Sequence, residues 1–177
     1  MTPIAHHPVD AATPPSTGRR KLLYTGVALA AMASFSRPGR AAPRQAKGDE
    51  VELWKDPSCG CCHDWMAHMQ GHGFRFTVHD TGNNAVRSRL GLPQKLGSCH
   101  TALVGGYVVE GHVPAVDVRR LLKDRPAALG LAVPGMPIGS PGMDGPAYGG
   151  RRDPYEVLLV ARDGATRVYA RYPAQSA

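Results

Sequence analysis

The chain from residue 49 onward predicts a mixed α/β domain, and two observations support this prediction. Segments of alternating apolar residues are interleaved with segments of helical spacing, in the order strand, helix, strand, helix, hairpin, helix. In addition, 42% of the 177 residues are hydrophobic, which suits one globular core with room for extra segments. We therefore expect one α/β domain over residues 49–177 and a separate segment over residues 1–48.

The first elements of the domain predict a βαβ unit. Residues 51–54 alternate in the manner of a strand, and a helix is expected to begin near Cys59. The glycines at positions 71 and 73 end that helix, and the alternating residues 74–78 predict the second strand. Because a helix connects the two strands, we expect them to be parallel.

A hairpin and a further helix are predicted next. Gly105-Gly106 forms a two-residue turn between strand segments 101–104 and 107–109. Pro114 lies where the first turn of a helix tolerates proline, and apolar residues at helical spacing follow it. The remaining expected elements are a short helix over 83–90, a long loop rich in Gly, Pro and Met over 130–150, and a C-terminal hairpin of 155–160 with 166–171.

This order of elements is that of a thioredoxin-like domain. Such domains carry their reactive cysteines where the first strand gives way to the first helix, and the motif Cys59-Gly60-Cys61-Cys62 lies at that place. Cys99 lies directly before the third strand, at a position that faces the redox motif in thioredoxins and usually holds a cis-proline. The chain has Cys99-His100 there, so we expect a fourth sulfur to face the first three.

Residues 1–48 predict an export signal followed by a linker. Arg19 and Arg20 precede an apolar run that ends near Phe35, and small residues follow. The run is shorter than the roughly 20 residues that span a bilayer. The paired arginines are similar to a twin-arginine signal, but Leu22 stands where that signal favours Phe, so a general secretory signal or an anchor without lipid stays open as an alternative. We therefore expect a periplasmic protein that is not an integral membrane protein after processing.

The positive charge of the chain does not indicate a nucleic-acid partner. Of the net charge of +7, residues 1–48 contribute seven basic and one acidic side chains, whereas residues 49–177 hold 14 basic and 13 acidic ones. The excess therefore belongs to the leader, and the domain has no long basic run. We expect no nucleic-acid binding.

The chain has four cysteines, Cys59, Cys61, Cys62 and Cys99, and all four are candidate metal ligands. A helix N-terminus favours thiolate over thiol, because its unpaired amides and its dipole stabilise negative charge. A redox pair needs one attacking and one resolving thiol, and a third adjacent thiol offers wrong pairings. For a soft metal the additional sulfur is an advantage.

Copper(I) is the metal that this set of sulfurs favours. It accepts two or three thiolates and tolerates bridging sulfurs, so a crowded thiolate patch can hold several ions. Zinc uses one tetrahedral set, which the neighbouring Cys61 and Cys62 would strain, and the spacing matches no ferredoxin run. A thiol redox pair and a pair of structural disulfides stay open as alternatives.

Two methionines and two histidines are secondary candidates for ligands. Met136 and Met143 lie in similar Pro-Gly-Met turns of the long loop, and thioethers suit copper(I), although both could simply fill apolar surface. His100 adjoins Cys99 and is the stronger histidine candidate. His112 precedes a predicted helix and is expected to line the same face.

Four segments taken together resemble one family: Cys59-Gly60-Cys61-Cys62, Ser98–Thr101, Val109–Pro114 and Gly130–Pro137. It is a family of small exported metal-binding proteins, long described as a domain of unknown function, that includes the CopG-type copper-resistance proteins. The resemblance covers residues 50–172. It implies a thioredoxin-like fold, copper binding through the four cysteines and a role beside other copper-resistance components.

We therefore expect a periplasmic protein that binds Cu(I) in a cysteine thiolate cluster and contributes to copper resistance. Its expected partners are copper ions and other copper-resistance proteins of the envelope. Clustered thiolates can also donate electrons, so copper redox cycling is a further expectation. The alternatives are a thiol–disulfide oxidoreductase of the cell envelope and a disulfide-stapled interaction module. We expect a metal-binding protein rather than an enzyme, and a thiol or copper oxidoreductase if it is an enzyme.

Overall fold

Seven strands and three α-helices make up residues 49–175, the part of the chain that the computed structural model describes. The strands are β1 (Glu50–Lys55), β2 (Arg75–His79), β3 (His100–Val104), β4 (Tyr107–Glu110), β5 (Gly130–Ala132), β6 (Tyr155–Val160) and β7 (Thr166–Tyr172). The helices are α1 (Gly60–Gly71), α2 (Asn84–Arg89) and α3 (Ala115–Asp124), with short 3-10 turns at Gln94–Leu96 and Pro146–Tyr148.

All seven strands belong to one sheet, in the order β2-β1-β3-β4-β5-β6-β7. Strands β1 and β2 are parallel and connected through α1, as predicted, and β3 and β4 form the predicted antiparallel hairpin. Strands β6 and β7 form the predicted C-terminal hairpin. The expected α/β fold is therefore confirmed, whereas its likeness to thioredoxin stays a prediction.

The prediction of a continuous loop over residues 130–150 is wrong at its start, where β5 lies. This strand pairs in parallel with β4 and antiparallel with β6. Gly130 makes the pairing possible, because a Cβ at this position would lie 1.7 Å from the carbonyl oxygen of Val108. A strand of three buried residues shows no alternation, so periodicity in the sequence does not reveal it.

The main hydrophobic core joins the sheet to α1 and α3. Trp65 and Met69 of α1 are fully buried, and the indole Nε1 of Trp65 donates a 2.9 Å hydrogen bond to the carbonyl of Val113. Val118 and Leu121 of α3 belong to the same cluster. Burying one large apolar side chain contributes about 1.5–3 kcal/mol. This packing holds α1 against the sheet.

None of the helices within residues 49–175 has the length and apolar content needed to cross a membrane. The predicted export signal and linker over residues 1–48 lie outside the described residues. The twin-arginine route and the periplasmic location therefore stay predictions.

Candidate metal centre

The strand register brings the two cysteine-bearing segments together. Strands β1 and β3 are antiparallel, and Lys55 at the end of β1 lies opposite His100 at the start of β3. The chain therefore leaves β1 at the same edge of the sheet where it enters β3. The cysteine motif follows β1 and Cys99 precedes β3, so all the cysteines lie at this edge.

The helix that follows β1 begins inside the cysteine motif. Cys59 occupies the N-cap position of α1, where no side chain caps the helix, and Gly60 is the first helical residue. The first amides of α1 consequently have no intrahelical acceptor and are free to stabilise a negative charge.

The four sulfur atoms form one compact group. The Sγ of Cys61 lies 3.6 Å from that of Cys59 and 3.7 Å from that of Cys99, and the Sγ atoms of Cys62 and Cys99 are 3.5 Å apart. All four sulfurs lie within 4.8 Å of one another. Cys62 is fully buried, whereas the other three are half-buried. The structure thus brings together the four residues that the sequence predicted as ligands.

Two of these sulfurs are bonded to each other. A disulfide joins Cys59 to Cys62, and Cys61 and Cys99 are free thiols. Because the thiolate is the form that binds a metal, a site with four sulfur ligands requires two-electron reduction of this disulfide. The alternative of a module stapled by two disulfides does not match this arrangement, which contains one disulfide.

The free thiol of Cys99 is held in its protonated form. Burial, followed by the neighbouring Cys61, raises the pKa of Cys99 to about 12. Burial acts by making the charged thiolate unfavourable, and a second sulfur nearby adds like-charge repulsion. Cys99 therefore has to lose a proton when it binds a metal ion.

His112 presents an unprotonated nitrogen to Cys99. Its Nε2 lies 3.1 Å from the Sγ of Cys99, and its Nδ1 lies 2.8 Å from the carbonyl oxygen of Pro141. A carbonyl only accepts, so Nδ1 carries the proton and Nε2 has a lone pair. Burial lowers the pKa of His112, which favours the neutral ring that binds metals. A hydrogen bond of this kind orients metal-binding histidines.

His100 is a second histidine beside Cys99, and its ring lies 5.1 Å from that of His112. It is fully buried against Trp65, with 4.4 Å between the ring centroids, and its Nδ1 lies 3.4 Å from the Sγ of Cys99. Its Nε2 has no hydrogen-bond partner among the described residues. With Cys99 and His112 it forms a second group of donor atoms within 4.8 Å of one another. The sequence ranked His100 first, whereas the shorter distance and the defined tautomer favour His112.

The two candidate methionines differ in position. Met136 is 50% exposed, and its Sδ lies 3.9 Å from the Sγ of Cys61. Met143 is buried, and its Sδ accepts a 3.4 Å hydrogen bond from the hydroxyl of Tyr148. Met136 thus lies at the exposed rim of the sulfur group, and Met143 has a structural partner of its own.

Two residues near the site were not singled out from the sequence: Pro141, whose carbonyl accepts from His112, and Glu110, whose carboxylate accepts from the amide of Ser98 next to Cys99. The carbonyl of Pro141 orients His112, and any residue type could provide such a carbonyl, so the sequence carries no signal for it. For Glu110 the sequence did contain a signal, because a carboxylate at the end of the otherwise apolar strand β4 needs a partner when it is buried.

Comparisons with known proteins bear on the family of the chain. The model of a family described as a protein of unknown function, DUF411, matches residues 96–143. Two solved structures, forms 1 and 2 of the copper resistance protein CopG, each share 46% sequence identity with the chain at a TM-score of 0.65. Each covers 70% of this chain, and the alignments include 97% and 98% of the solved chains. The chain belongs to the CopG family of copper resistance proteins.

Membership of the CopG family confirms the resemblance that the sequence motifs predicted. A search of curated proteins gives no match. The region matched by the family model contains Cys99 and the histidine and methionine candidates but not the motif Cys59-Gly60-Cys61-Cys62. The alignments with the CopG structures include nearly the whole of those structures and 70% of this chain, so the family assignment does not depend on residues 96–143 alone.

Proposed function

We propose that this protein is a periplasmic copper-binding protein that holds Cu(I) in a thiolate cluster and contributes to copper resistance. The ligands are Cys59, Cys61, Cys62 and Cys99. The observation that carries the proposal is the group of four sulfur atoms within 4.8 Å of one another, contributed by two segments that meet at one edge of the sheet. Membership of a copper-resistance family supports copper as the metal.

The chemistry of the donor set favours Cu(I) over zinc. The sulfurs are soft ligands, and the other donors nearby are imidazoles and one thioether. Zinc uses Cys, His, Asp or Glu ligands in one closed tetrahedral set, in which the thioether of Met136 would have no place. Cu(I) accepts two or three sulfurs and bridging geometries, which suits a cluster of several ions.

The residues around the cysteines prepare the site for a cation. Reduction of the Cys59–Cys62 disulfide supplies two thiols in addition to the two that are free. His112 adds a neutral nitrogen beside Cys99, and the exposed Met136 adds a soft ligand beside Cys61. A soft ligand at the rim and thiols further inside form a path along which Cu(I) meets progressively stronger ligands.

Anaerobic titration of the fully reduced protein with Cu(I), in competition with a chromophoric chelator, tests the proposal. We expect the protein to withdraw copper from the chelator, and the Cys61→Ser and Cys99→Ser variants to withdraw much less. His63→Ala is the matched control, because His63 adjoins the motif in sequence but is exposed. Absence of competition by the wild-type protein, or full competition by both serine variants, contradicts the proposal.

A second candidate function, a thiol–disulfide or copper oxidoreductase, is favoured by the disulfide itself. Thiol–disulfide exchange needs a thiol close to a disulfide sulfur, and the Sγ of Cys99 lies 3.5 Å from the bonded sulfur of Cys62. In the copper reaction, the Cys59 and Cys62 thiols give one electron to each of two Cu(II) ions, which become Cu(I). The thiols form the disulfide and release two protons.

Two assays separate the oxidoreductase from a simple copper store. Catalysed insulin reduction that needs Cys59 and Cys62 but not Cys61 indicates thiol–disulfide exchange. Formation of Cu(I) from Cu(II), in step with the loss of two thiols per two copper ions, indicates copper reduction. If neither reaction proceeds although Cu(I) binds, the protein is a copper store only.

Location and partners belong to the same proposal. The paired arginines of the leader support export across the inner membrane, and the copper-resistance family supports partners among other envelope copper proteins. Cell fractionation of the wild type and of an Arg19→Lys, Arg20→Lys variant tests the route. We expect the wild type in the periplasmic fraction and the variant in the cytoplasm, because the twin-arginine pathway requires the arginine pair.

A further inference from the structure

A buried ion pair lies next to the segment that carries Cys99. Arg87 of α2 is 5% exposed and Glu110 of β4 is 0% exposed, and Nε and Nη2 of the arginine both lie 2.8 Å from Oε1 of the carboxylate. Removing two charges from water opposes folding, so a pair this deeply buried is weak evidence for a stabilising role. Its other hydrogen bonds indicate a different role.

Both members of the pair bind Ser98, the residue directly before Cys99. The amide of Ser98 donates a 2.7 Å hydrogen bond to Oε1 of Glu110, and the carbonyl of Ser98 accepts a 2.6 Å bond from Nη2 of Arg87. Hydrogen bonds with a charged partner are about twice as strong as neutral ones. These bonds fix the peptide group between Gly97 and Ser98 and the peptide group between Ser98 and Cys99.

Thr101 and Asn83 complete the network on the other side of Cys99. The hydroxyl of Thr101 donates a 2.6 Å bond to Oε2 of Glu110, and Nδ2 of Asn83 donates 3.2 Å bonds to both Thr101 and the Ser98 carbonyl. Burial raises the pKa of Glu110, and the hydrogen bonds it accepts from Thr101, Ser98 and Arg87 oppose the rise. Both carboxylate oxygens face only donors, which matches the ionised form.

The same network reaches the loop that carries Met136. The hydroxyl of Ser98 donates to the carbonyl of Gly135, and the amide of Gly135 donates a 3.0 Å bond to the carbonyl of Gly97. Gly97 allows Arg87 to come close, because a Cβ at Gly97 would lie 2.9 Å from Cζ of the arginine. Ser98 thus links the ion pair to the loop that carries Met136 as well as to Cys99.

We propose that Arg87 and Glu110 form a positioning pair that holds the Cys99 thiol against the cysteine motif. No hydrogen bond within residues 49–175 joins either side chain to a sulfur, so the pair acts through Ser98. The importance of this positioning for copper binding rests on the proposed function, in which Cys99 is a copper ligand. The competing explanation is that the pair only stabilises the fold.

Glu110→Gln is the decisive variant. The side-chain amide keeps the shape of the carboxylate but removes the negative charge opposite Arg87, so the bonds from Arg87 and from the Ser98 amide no longer end on a charged oxygen and become weaker. Asp117→Asn is the matched control. Asp117 is 4% exposed, but it accepts from Arg120 and from the Tyr172 hydroxyl and not from the Cys99 segment. Both variants remove a buried negative charge, and only one of them disturbs the proposed positioning.

The first measurement uses metal-free protein with the disulfide intact, in which Cys61 and Cys99 are the free thiols. A short bifunctional thiol reagent crosslinks them when their sulfurs are close, as the 3.7 Å separation allows. We expect the ratio of crosslinked to singly modified protein to fall about tenfold in Glu110→Gln. We expect the ratio in Asp117→Asn to equal that of the wild type.

The second measurement is Cu(I) affinity in the reduced proteins, with cooperative unfolding as the check on folding. We expect Glu110→Gln to bind Cu(I) about 10- to 100-fold more weakly, as when outer partners of metal ligands are removed. If Glu110→Gln does not unfold cooperatively, Arg87→Lys carries the test, because lysine keeps the charge but not the planar fork.

The outcomes are distinct. Wild-type crosslinking in a folded Glu110→Gln or Arg87→Lys variant overturns the positioning role. An equal loss of crosslinking in Asp117→Asn overturns it as well, since general destabilisation then explains the effect. If the wild type binds no Cu(I), the proposed function fails, and the crosslinking measurement still decides whether the pair positions Cys99.

Discussion

Replacing Cys99 by serine is expected to change how Cu(I) binding depends on pH. The pKa of Cys99 is raised to about 12 by burial and by the neighbouring Cys61, so the thiol carries its proton throughout the range from about pH 7 to about pH 9. Binding a metal ion requires the thiolate, so this proton must leave. It passes to solvent, because burial lowers the pKa of His112 and keeps that ring from retaining it.

The expected magnitude follows from this proton. Each proton released on binding strengthens apparent affinity about tenfold per pH unit, which corresponds to about 1.4 kcal/mol. Between about pH 7 and about pH 9, the Cys99 proton therefore adds about a hundredfold, or about 2.7 kcal/mol, to the gain in Cu(I) affinity. Apparent Cu(I) affinity therefore falls as the pH falls, because protons compete with copper for the thiolate. The gain in the Cys99→Ser variant should be smaller than that of the wild type by this factor.

Competition with a chelator calibrated at each pH measures the two slopes in reduced protein. Met136→Leu is the control, because a thioether carries no proton: its loss weakens affinity and leaves the slope unchanged. Equal slopes for the wild type and Cys99→Ser would refute the reasoning, since Cys99 would then be ionised already or would not bind copper. A changed slope in Met136→Leu would show that the slope does not report on thiol protons.

Three further predictions concern the state and the support of the site. Without reductant, a thiol reagent should modify two cysteines per chain in the unfolded protein, and all four after reduction, because one disulfide is present; mass spectrometry counts them. Gly142→Ala should lower the free energy of unfolding by about 1–3 kcal/mol in chemical denaturation, because φ is +83° and the new Cβ would lie 2.6 Å from the Cys61 carbonyl. Gly145→Ala, with φ of −69° and open space around it, should change stability by less than about 0.5 kcal/mol. His112→Ala should weaken Cu(I) binding about 10- to 100-fold while His63→Ala does not, and equal affinities would contradict a role for His112 at the centre.

Local patterns in the sequence were sufficient for most of the fold. The alternation in β1 and β2, the helical spacing in α1 and the double-glycine turn between β3 and β4 each depend on neighbouring residues, so each could be read without the rest of the chain. Strand β5 could not be predicted in this way. It exists because Gly130 fits against Val108 of a strand more than twenty residues earlier, and no local period records that contact.

In the candidate metal centre, too, some features follow from local sequence pattern and others depend on the fold. The motif from Cys59 to Cys62 lies where a strand gives way to a helix, and that place can be recognised from local pattern. The approach of Cys99 was predicted through a fold assignment and is observed as sulfur distances of 3.5 and 3.7 Å. The pairing among four cysteines could not be deduced, because four cysteines allow three connectivities. The structure contains the single Cys59–Cys62 bond.

The sequence by itself determined which atoms are available at the site and therefore the class of metal they favour. Sulfur, imidazole and thioether donors are properties of residue types, and their soft character does not depend on the fold. Only the tertiary structure decided how those donors are prepared. The carbonyl of Pro141 selects the tautomer of His112, burial keeps Cys99 protonated, and the buried pair of Arg87 and Glu110 holds the Cys99 segment. These properties arise from groups distant in the chain that become neighbours when it folds, because hydrogen bonds and desolvation act over a few ångströms of space rather than along the sequence.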